Sequence, residues 1–357
     1  MKNDLSRAIA SGVPVLIWGP PGVGKTAAIL ALGRRLGLPV EVVIASIREP
    51  TDFAGLPIVY DGEVRFAPPA WARRLAAAGK GILFLDEIST AAPAVQAALL
   101  RVVLDRVVGD LALPPAVTIV AAANPPDMAA GGWDLSPPLA NRFIHLQWHV
   151  DAGEWAAEFP HYWGDPPAVP GLDPAVWARA RALVAGFIRS RPHLLLQLPK
   201  SLEEQGRAWP SPRSWDNASR GLAAVLQDGG EAEDAAALVA GAVGEAAGLE
   251  FSTWVRELDL PDPEEILANP ASFKLPRRGD QAYAVLAAVA AAAVSRLDRE
   301  RWLAAWKVMG RAAEQGAKDI AAAAVRSLAQ AKGRVPDLPM PPEIKVFIPL
   351  LKEAGLL

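Results

Sequence analysis

Eight consecutive residues near the N-terminus, Gly19-Pro20-Pro21-Gly22-Val23-Gly24-Lys25-Thr26, constrain this chain more than any other stretch. They fit the G-x-x-x-x-G-K-[ST] phosphate-binding pattern in full. The apolar run Val13 to Trp18 precedes them and reads as a buried strand, and Thr26 to Leu36 follows and reads as a helix. Glycines in such a loop let backbone N–H groups approach phosphates, and the helix N-terminus adds its positive dipole end. Lys25 is placed to neutralise β- and γ-phosphates, and Thr26 to ligate Mg²⁺. A glycine-rich turn and nothing more is the competing reading, and the flanking strand and helix weigh against it.

A second element follows at the spacing this chemistry demands. Ile82-Leu83-Phe84-Leu85-Asp86-Glu87 is an apolar strand ending in two carboxylates, 60 residues after Thr26. Asp86 is expected to hold Mg²⁺, and Glu87 to orient and deprotonate an attacking water. Alone, an apolar run ending in Asp-Glu says little; behind a phosphate loop it says much more. The base follows by exclusion. No Asn-Lys-x-Asp occurs to read guanine, and the Asp-x-x-Gly at Asp52 to Gly55 precedes the strand instead of ending it. ATP is therefore the expected nucleotide.

Strand-like runs alternate with helical ones through the first 150 residues: Val40 to Ala45, Gly81 to Leu85, Val117 to Ala123 and Arg142 to Val150, with a helix at Pro93 to Arg106. Such alternation predicts a parallel sheet with helices on both faces. Ile58 to Phe66 holds Asp61-Gly62, a favoured two-residue hairpin turn, and Val107 to Leu113 holds Gly109-Asp110. Hairpin or ordinary loop are both open for these two. Beyond residue 150 the strand signal ends. Helices are predicted at Ala175 to Arg189, Pro212 to Leu226, Glu231 to Ala247, Gln281 to Leu297, Arg299 to Glu314 and Asp319 to Ala331. Proline-rich breaks fall at Pro160 to Pro174, Leu260 to Pro263 and Pro336 to Pro342. The expected organisation is an α/β P-loop NTPase core at 1–150, an all-α lid at 151–255 and an α-helical C-terminal extension at 256–357.

With these motifs in place, the chain resembles the AAA+ ATPases of the MoxR and dynein-related branch. Ala121-Ala122-Ala123-Asn124-Pro125 closes a strand, and Asn124 resembles the polar sensor 1 residue, whose amide sits between the base and the γ-phosphate. Leu139-Ala140-Asn141-Arg142-Phe143 resembles the Leu-x-Asp-Arg-Phe of the MoxR branch, with Asn141 in place of the usual acid. The resemblance implies that Arg142 reaches the nucleotide of a neighbouring subunit. Ser211-Pro212-Arg213 resembles the sensor 2 start of the lid helix, which implies that Arg213 turns onto the γ-phosphate of its own subunit. Ile47 to Pro57 resembles the stretch before the family's inserted hairpin. The competing readings are a turn for Asn124, a surface arginine for Arg142 and a capped surface helix for Arg213. The resemblance covers residues 1 to about 255. It implies a homo-oligomeric, hexameric ring that remodels a protein client, often one with a von Willebrand factor A domain, sometimes for metal insertion.

Composition narrows the classes. Net charge is −3 across 357 residues, which disfavours a nucleic-acid protein driven by bulk positive charge. A nucleic-acid motor or clamp-loader-like ATPase is nonetheless the rival reading, since both share this core. There is no cysteine, so disulfides and thiolate metal sites are excluded. Met1 to Ala10 lacks the apolar core of a signal peptide. The alanine-rich run Ala282 to Val294 is too short to span a membrane and is expected to be buried. A cytoplasmic location is expected. His145 and His149 lie four apart, but a third metal ligand is not evident, so satisfied histidines are expected. The 12 tryptophans, among them Trp155, Trp163, Trp177, Trp215, Trp254, Trp302 and Trp306, are expected to anchor helix packing.

Overall fold

The computed structural model describes residues 2–128, 133–161, 169–258, 260–332, 335, 337–353 and 356. Trp163 and parts of the proline-rich breaks at 160–174 and 336–342 lie outside them. The chain divides into two compact units, Met1–His149 and Val150–Leu357.

Among its described residues the first unit holds nine strands: β1 Val15–Trp18, β2 Val40–Ile44, β3 Leu56–Tyr60, β4 Glu63–Ala67, β5 Lys80–Asp86, β6 Val107–Val108, β7 Leu111–Ala112, β8 Ala116–Ala123 and β9 Ile144–Gln147. Its helices are α1 Lys2–Ala10, α2 Lys25–Leu36, α3 Thr51–Ala54, α4 Ala70–Ala78, α5 Pro93–Asp105 and α6 Pro137–Ala140. Five strands form a parallel sheet in the order β2-β5-β8-β1-β9. The central strands read as unbroken apolar runs because both faces are covered. Side-chain alternation sorts them: Val15, Ile17, Ile82 and Phe84 pack with Leu5, Ile9, Ile29 and Leu32 from α1 and α2. Leu16, Leu83 and Leu85 pack on the other face with Leu75 of α4 and Leu99 of α5. The fold of this unit is thus the helix-flanked parallel sheet that the alternation predicts.

Both anticipated hairpins form. β3 and β4 pair around Asp61 and Gly62, which take φ of 53° and 77°. Positive φ at both central residues is what this turn needs, and Asp-Gly tolerates it best. β6 and β7 pair around Gly109-Asp110. The two hairpins touch: Phe66 N donates to Asp110 Oδ2 at 2.8 Å, and Asp110 N donates to Phe66 O at 3.0 Å. Gly109 is required there, since a Cβ would lie 2.4 Å from Phe66 O. The predicted strand Arg142 to Val150 is shorter, ending at Gln147.

The second unit is helical: α7 Ala152–Glu158, α8 Pro174–Ser190, α9 Leu202–Gln205, α10 Pro212–Asp228, α11 Ala232–Val243, α12 Glu245–Arg256, α13 Pro263–Ala268, α14 Gly279–Ser295, α15 Arg299–Glu314, α16 Lys318–Lys332 and α17 Ile348–Glu353. One core gathers Phe187, Trp215, Phe251 and Trp254, with ring centroids of Phe187 at 5.2–5.6 Å from the other three. A second gathers Trp302, Trp306 and Phe347 with Leu286 and Val289 of α14. Trp155 and Trp177 are buried as well, so these indoles do anchor packing. Residues Ala282 to Ala293 of α14 are buried throughout, as the alanine-rich composition predicts. No described helix is long and apolar enough to cross a membrane. The helix predicted from Glu231 to Ala247 is two helices. Gly244 takes φ 90°, and a Cβ there would lie 2.8 Å from Ala208 O, so the chain turns where the alanine pattern runs on.

Candidate functional site

The carboxyl ends of β1, β5 and β8 lie side by side, and each is followed at once by a residue singled out from the sequence. Ligands in open α/β sheets bind outside these strand ends. Gly19 leaves β1 and donates its N–H to Ala123 O at the end of β8, 3.1 Å away. The loop then turns through Gly22 and Gly24, at φ of 77° and 87°. Gly24 caps α2, so the loop ends directly on a helix N-terminus. Nothing lies within 4 Å of where a Gly24 Cβ would be, so it is the backbone angle that demands glycine here.

Lys25 is 8% exposed. Its Nζ donates to Gly19 O at 2.6 Å, Pro20 O at 3.0 Å and Asn124 Oδ1 at 2.9 Å. A buried ammonium is tolerated only with such partners. Thr26 Oγ1 donates to Asp86 Oδ2 at 2.6 Å. Hydroxyl and carboxylate therefore meet at the foot of the loop, a pair of hard oxygen donors suited to Mg²⁺. The loop's glycine angles, its cation and this oxygen pair fit a Mg²⁺-bound triphosphate.

Glu87 follows Asp86 in the left-handed region, φ 54° and ψ 40°. Its N–H donates to Asp86 Oδ1 at 3.0 Å. That unusual backbone, costly for a residue with a Cβ, turns the exposed Glu87 side chain away from the strand line. Its Oε2 accepts from Ser46 Oγ at 2.6 Å. Asn124 thus meets Lys25, and Glu87 meets Ser46.

Arg142 lies elsewhere. Ile144 is level with Val15 at the start of β1, and the loop leaves its far end. At ~3.3 Å per strand residue, Ile144 is level with a point roughly 13 Å back from Gly19, and Arg142 lies in the turn before it, off the end of the strands opposite the loop. Half-buried, it donates from Nη1 to Pro138 O at 3.0 Å. Arg213 belongs to the second unit. It sits in the first turn of α10, behind a capping box in which Ser211 and Ser214 each accept from the other's backbone N–H. His145 is satisfied at both ring nitrogens: Nδ1 accepts from Trp18 Nε1 at 3.0 Å and Nε2 lies 2.8 Å from Ala140 O.

Two residues around the loop had no signal in the local sequence. Ser46 reaches Glu87 because β2 pairs with β5 so that Ile44 faces Asp86. Trp148 follows β9, which pairs with β1 so that Gln147 faces Trp18. Trp148 therefore underlies the loop: its indole Nε1 donates to Val23 O at 3.2 Å, and its Cβ leaves room at Gly19 only for glycine. Strand order would have exposed both, and strand order is not written locally.

Residues 14–143 match the model of the AAA domain, dynein-related subfamily. Among solved structures, the chain is similar to the RuvB Holliday junction branch migration motor of Thermotoga maritima, at 18% identity and TM-score 0.38, covering 76% of this chain and 74% of that one. A point mutant of the same RuvB matches at 18% identity and TM-score 0.39, covering 76% and 75%. NtrX from Brucella abortus matches at 18% identity and TM-score 0.33, covering 71% and 66%.

Proposed function

We propose that the protein, whose residues 14–143 match the model of the AAA domain, dynein-related subfamily, is an ATP hydrolase of the MoxR type, acting in a homo-oligomeric ring to remodel or activate a partner protein. The observation that carries the chemistry is the 2.6 Å contact of Thr26 Oγ1 with Asp86 Oδ2 beneath a glycine loop, with Glu87 next in chain.

In this reading Gly19 to Thr26 wrap the phosphates, and Lys25 exchanges its bonds to Gly19 O and Pro20 O for phosphate oxygens. Thr26 and Asp86 hold Mg²⁺, which when bound neutralises charge on the β- and γ-phosphates. Glu87 takes a proton from water as the water oxygen bonds to the γ-phosphorus and the bond to the bridging oxygen breaks. Asn124, beside Lys25, orders the same face. Arg142, remote from its own loop, completes a neighbour's site, and Arg213 completes its own. A hexamer is the natural ring for such sites.

The client reading rests on the β3–β4 hairpin. Both strands are exposed, with Val59 at 78% and Val64 at 63%. Exposed apolar surface of this kind marks contact with other proteins. A von Willebrand factor A domain partner and a cytoplasmic location follow from the resemblance to the MoxR branch, as does the division of the second unit into lid and extension.

Phosphate release and equilibrium binding of a fluorescent ATP analogue test the assignment together. Glu87→Gln retains nucleotide while hydrolysis falls ~10²-fold or more, the scale of a lost general base. Lys25→Ala loses nucleotide. Normal turnover by Glu87→Gln, or normal affinity in Lys25→Ala, overturns the site.

A further inference from the structure

Gln96 is a buried polar residue in α5, 2% exposed, amid Val95, Leu99, Val102 and Val103. It takes no part in the chemistry above. Its amide is nonetheless engaged at both ends. Nε2 donates to Ala91 O at 3.0 Å and to Asp134 O at 3.2 Å. Oε1 accepts from Ser136 N at 2.8 Å. Only a primary amide offers two donors and an acceptor at one side-chain end.

The groups it joins matter. Ala91 closes the short turn Ile88–Thr90 that follows Glu87. Ser136 precedes α6, and Ser136 O accepts from Leu139 N and Ala140 N. Arg142 N in turn donates to Leu139 O, and the Arg142 guanidinium to Pro138 O. Downstream, Ile144 N is tied to Pro14 O. The Arg142 segment is thus held at its far end by the sheet and at its near end by Gln96.

We propose that Gln96 is a positioning residue for Arg142: it fixes the segment that carries this arginine so that the arginine is presented to a neighbouring subunit. The proposal rests on the trans role of Arg142. Loss of the amide leaves one buried carbonyl, Ala91 O, and two part-buried groups, Asp134 O and Ser136 N, without this partner, and the segment relaxes to re-pair them.

The test uses full-length chains in mixed rings. Glu87→Gln protein has a dead site and lends an arginine; Arg142→Ala protein has a good site and lends none. Their mixture regains activity. Gln96→Met keeps length and volume but not the donors and acceptor. Placed in the arginine-lending Glu87→Gln chain, it lowers the regained activity about tenfold, the scale of one or two lost hydrogen bonds. Placed in the Arg142→Ala chain, it leaves the regained activity within about twofold. Ser136→Pro deletes the N–H from the other side at φ −60°, an angle proline adopts, and gives the same asymmetry. Equal losses in the two placements, or none in the lending chain, overturn the proposal while leaving the trans role intact. If the parent mixture regains nothing, the trans role and the proposal fall together. Hydrogen exchange reads the tether without assembly: in Gln96→Met it speeds across 134–142 and stays unchanged in β5. Unchanged exchange at 134–142 also overturns it.

Discussion

Ser46 Oγ donates to Glu87 Oε2 at 2.6 Å. In the proposed chemistry that carboxylate must accept a proton from water, so the hydroxyl competes for the same oxygen. A hydrogen bond to a charged group contributes about 1.5–3 kcal/mol when shielded, and less at this exposed carboxylate. Ser46→Ala is expected to raise hydrolysis roughly two- to tenfold at saturating ATP, with affinity unchanged. Steady-state phosphate release decides it. A fall in rate would mean that Ser46 aims Glu87 productively.

Trp148 supports the loop from below, through Val23 O and the close pass at Gly19. Trp148→Phe keeps most of the apolar area and removes the indole N–H. One neutral hydrogen bond is about 1 kcal/mol, so nucleotide affinity should weaken about fivefold. Fluorescent-analogue titration measures this. Affinity equal to that of the parent protein would leave the indole a packing role only.

Much of this site is legible because its chemistry is local. The glycine loop needs its strand before and helix after, and both are contiguous. Asp86 and Glu87 end an apolar run at a recognisable spacing. What sequence hides is pairing. Ser46 meets Glu87 only because β2 lies beside β5, and Trp148 meets the loop only because β9 lies beside β1. Helix α4 is hard to read locally because it buries just Trp71, Ala72 and Leu75, a weak stripe among alanines and arginines. Gly244 falls inside an alanine-rich helical pattern, and the carbonyl of Ala208 that it accommodates is far off in sequence.

In the second unit, Asp280 accepts from Arg278 Nη2 at 2.7 Å and Trp254 Nε1 at 3.0 Å. The Arg278 guanidinium foremost, with the indole and a backbone N–H, holds its carboxyl down at about 2. A depressed carboxylate stabilises the fold fully above its unfolded value, here 3.8, and that stability is lost as pH falls through about 2. Arg278 is 47% exposed, so solvent screening weakens the effect. The thermal midpoint of the second unit's unfolding should therefore drop between pH 4 and 2 more in the parent protein than in Asp280→Asn. Parallel pH profiles would remove Asp280 from the account.

Arg142 and Arg213 are assigned opposite roles, one lent and one kept, and this separates a ring machine from a self-contained hydrolase. Arg142 lies in the turn before β9, whose first residue is roughly 13 Å from Gly19 when counted along β1 at ~3.3 Å per residue. If it serves a neighbour, activity depends on contact. Specific activity should rise with protein concentration, and ATP should favour a larger species in mass photometry. An arginine supplied in trans contributes ~10³-fold or more in rate, so dilution should show clearly. Loss of either arginine lowers the rate, and the difference appears on mixing. Arg142→Ala regains activity with Glu87→Gln, because some interfaces then pair a whole site with a lent arginine. Arg213→Ala with Glu87→Gln does not, because each chain's own site stays incomplete. Were Arg213→Ala rescued and Arg142→Ala not, in rings shown to be mixed, the two roles would be exchanged. A rate independent of concentration, with Arg142→Ala fully active, would leave Arg142 as the residue that bonds Pro138 O and nothing more.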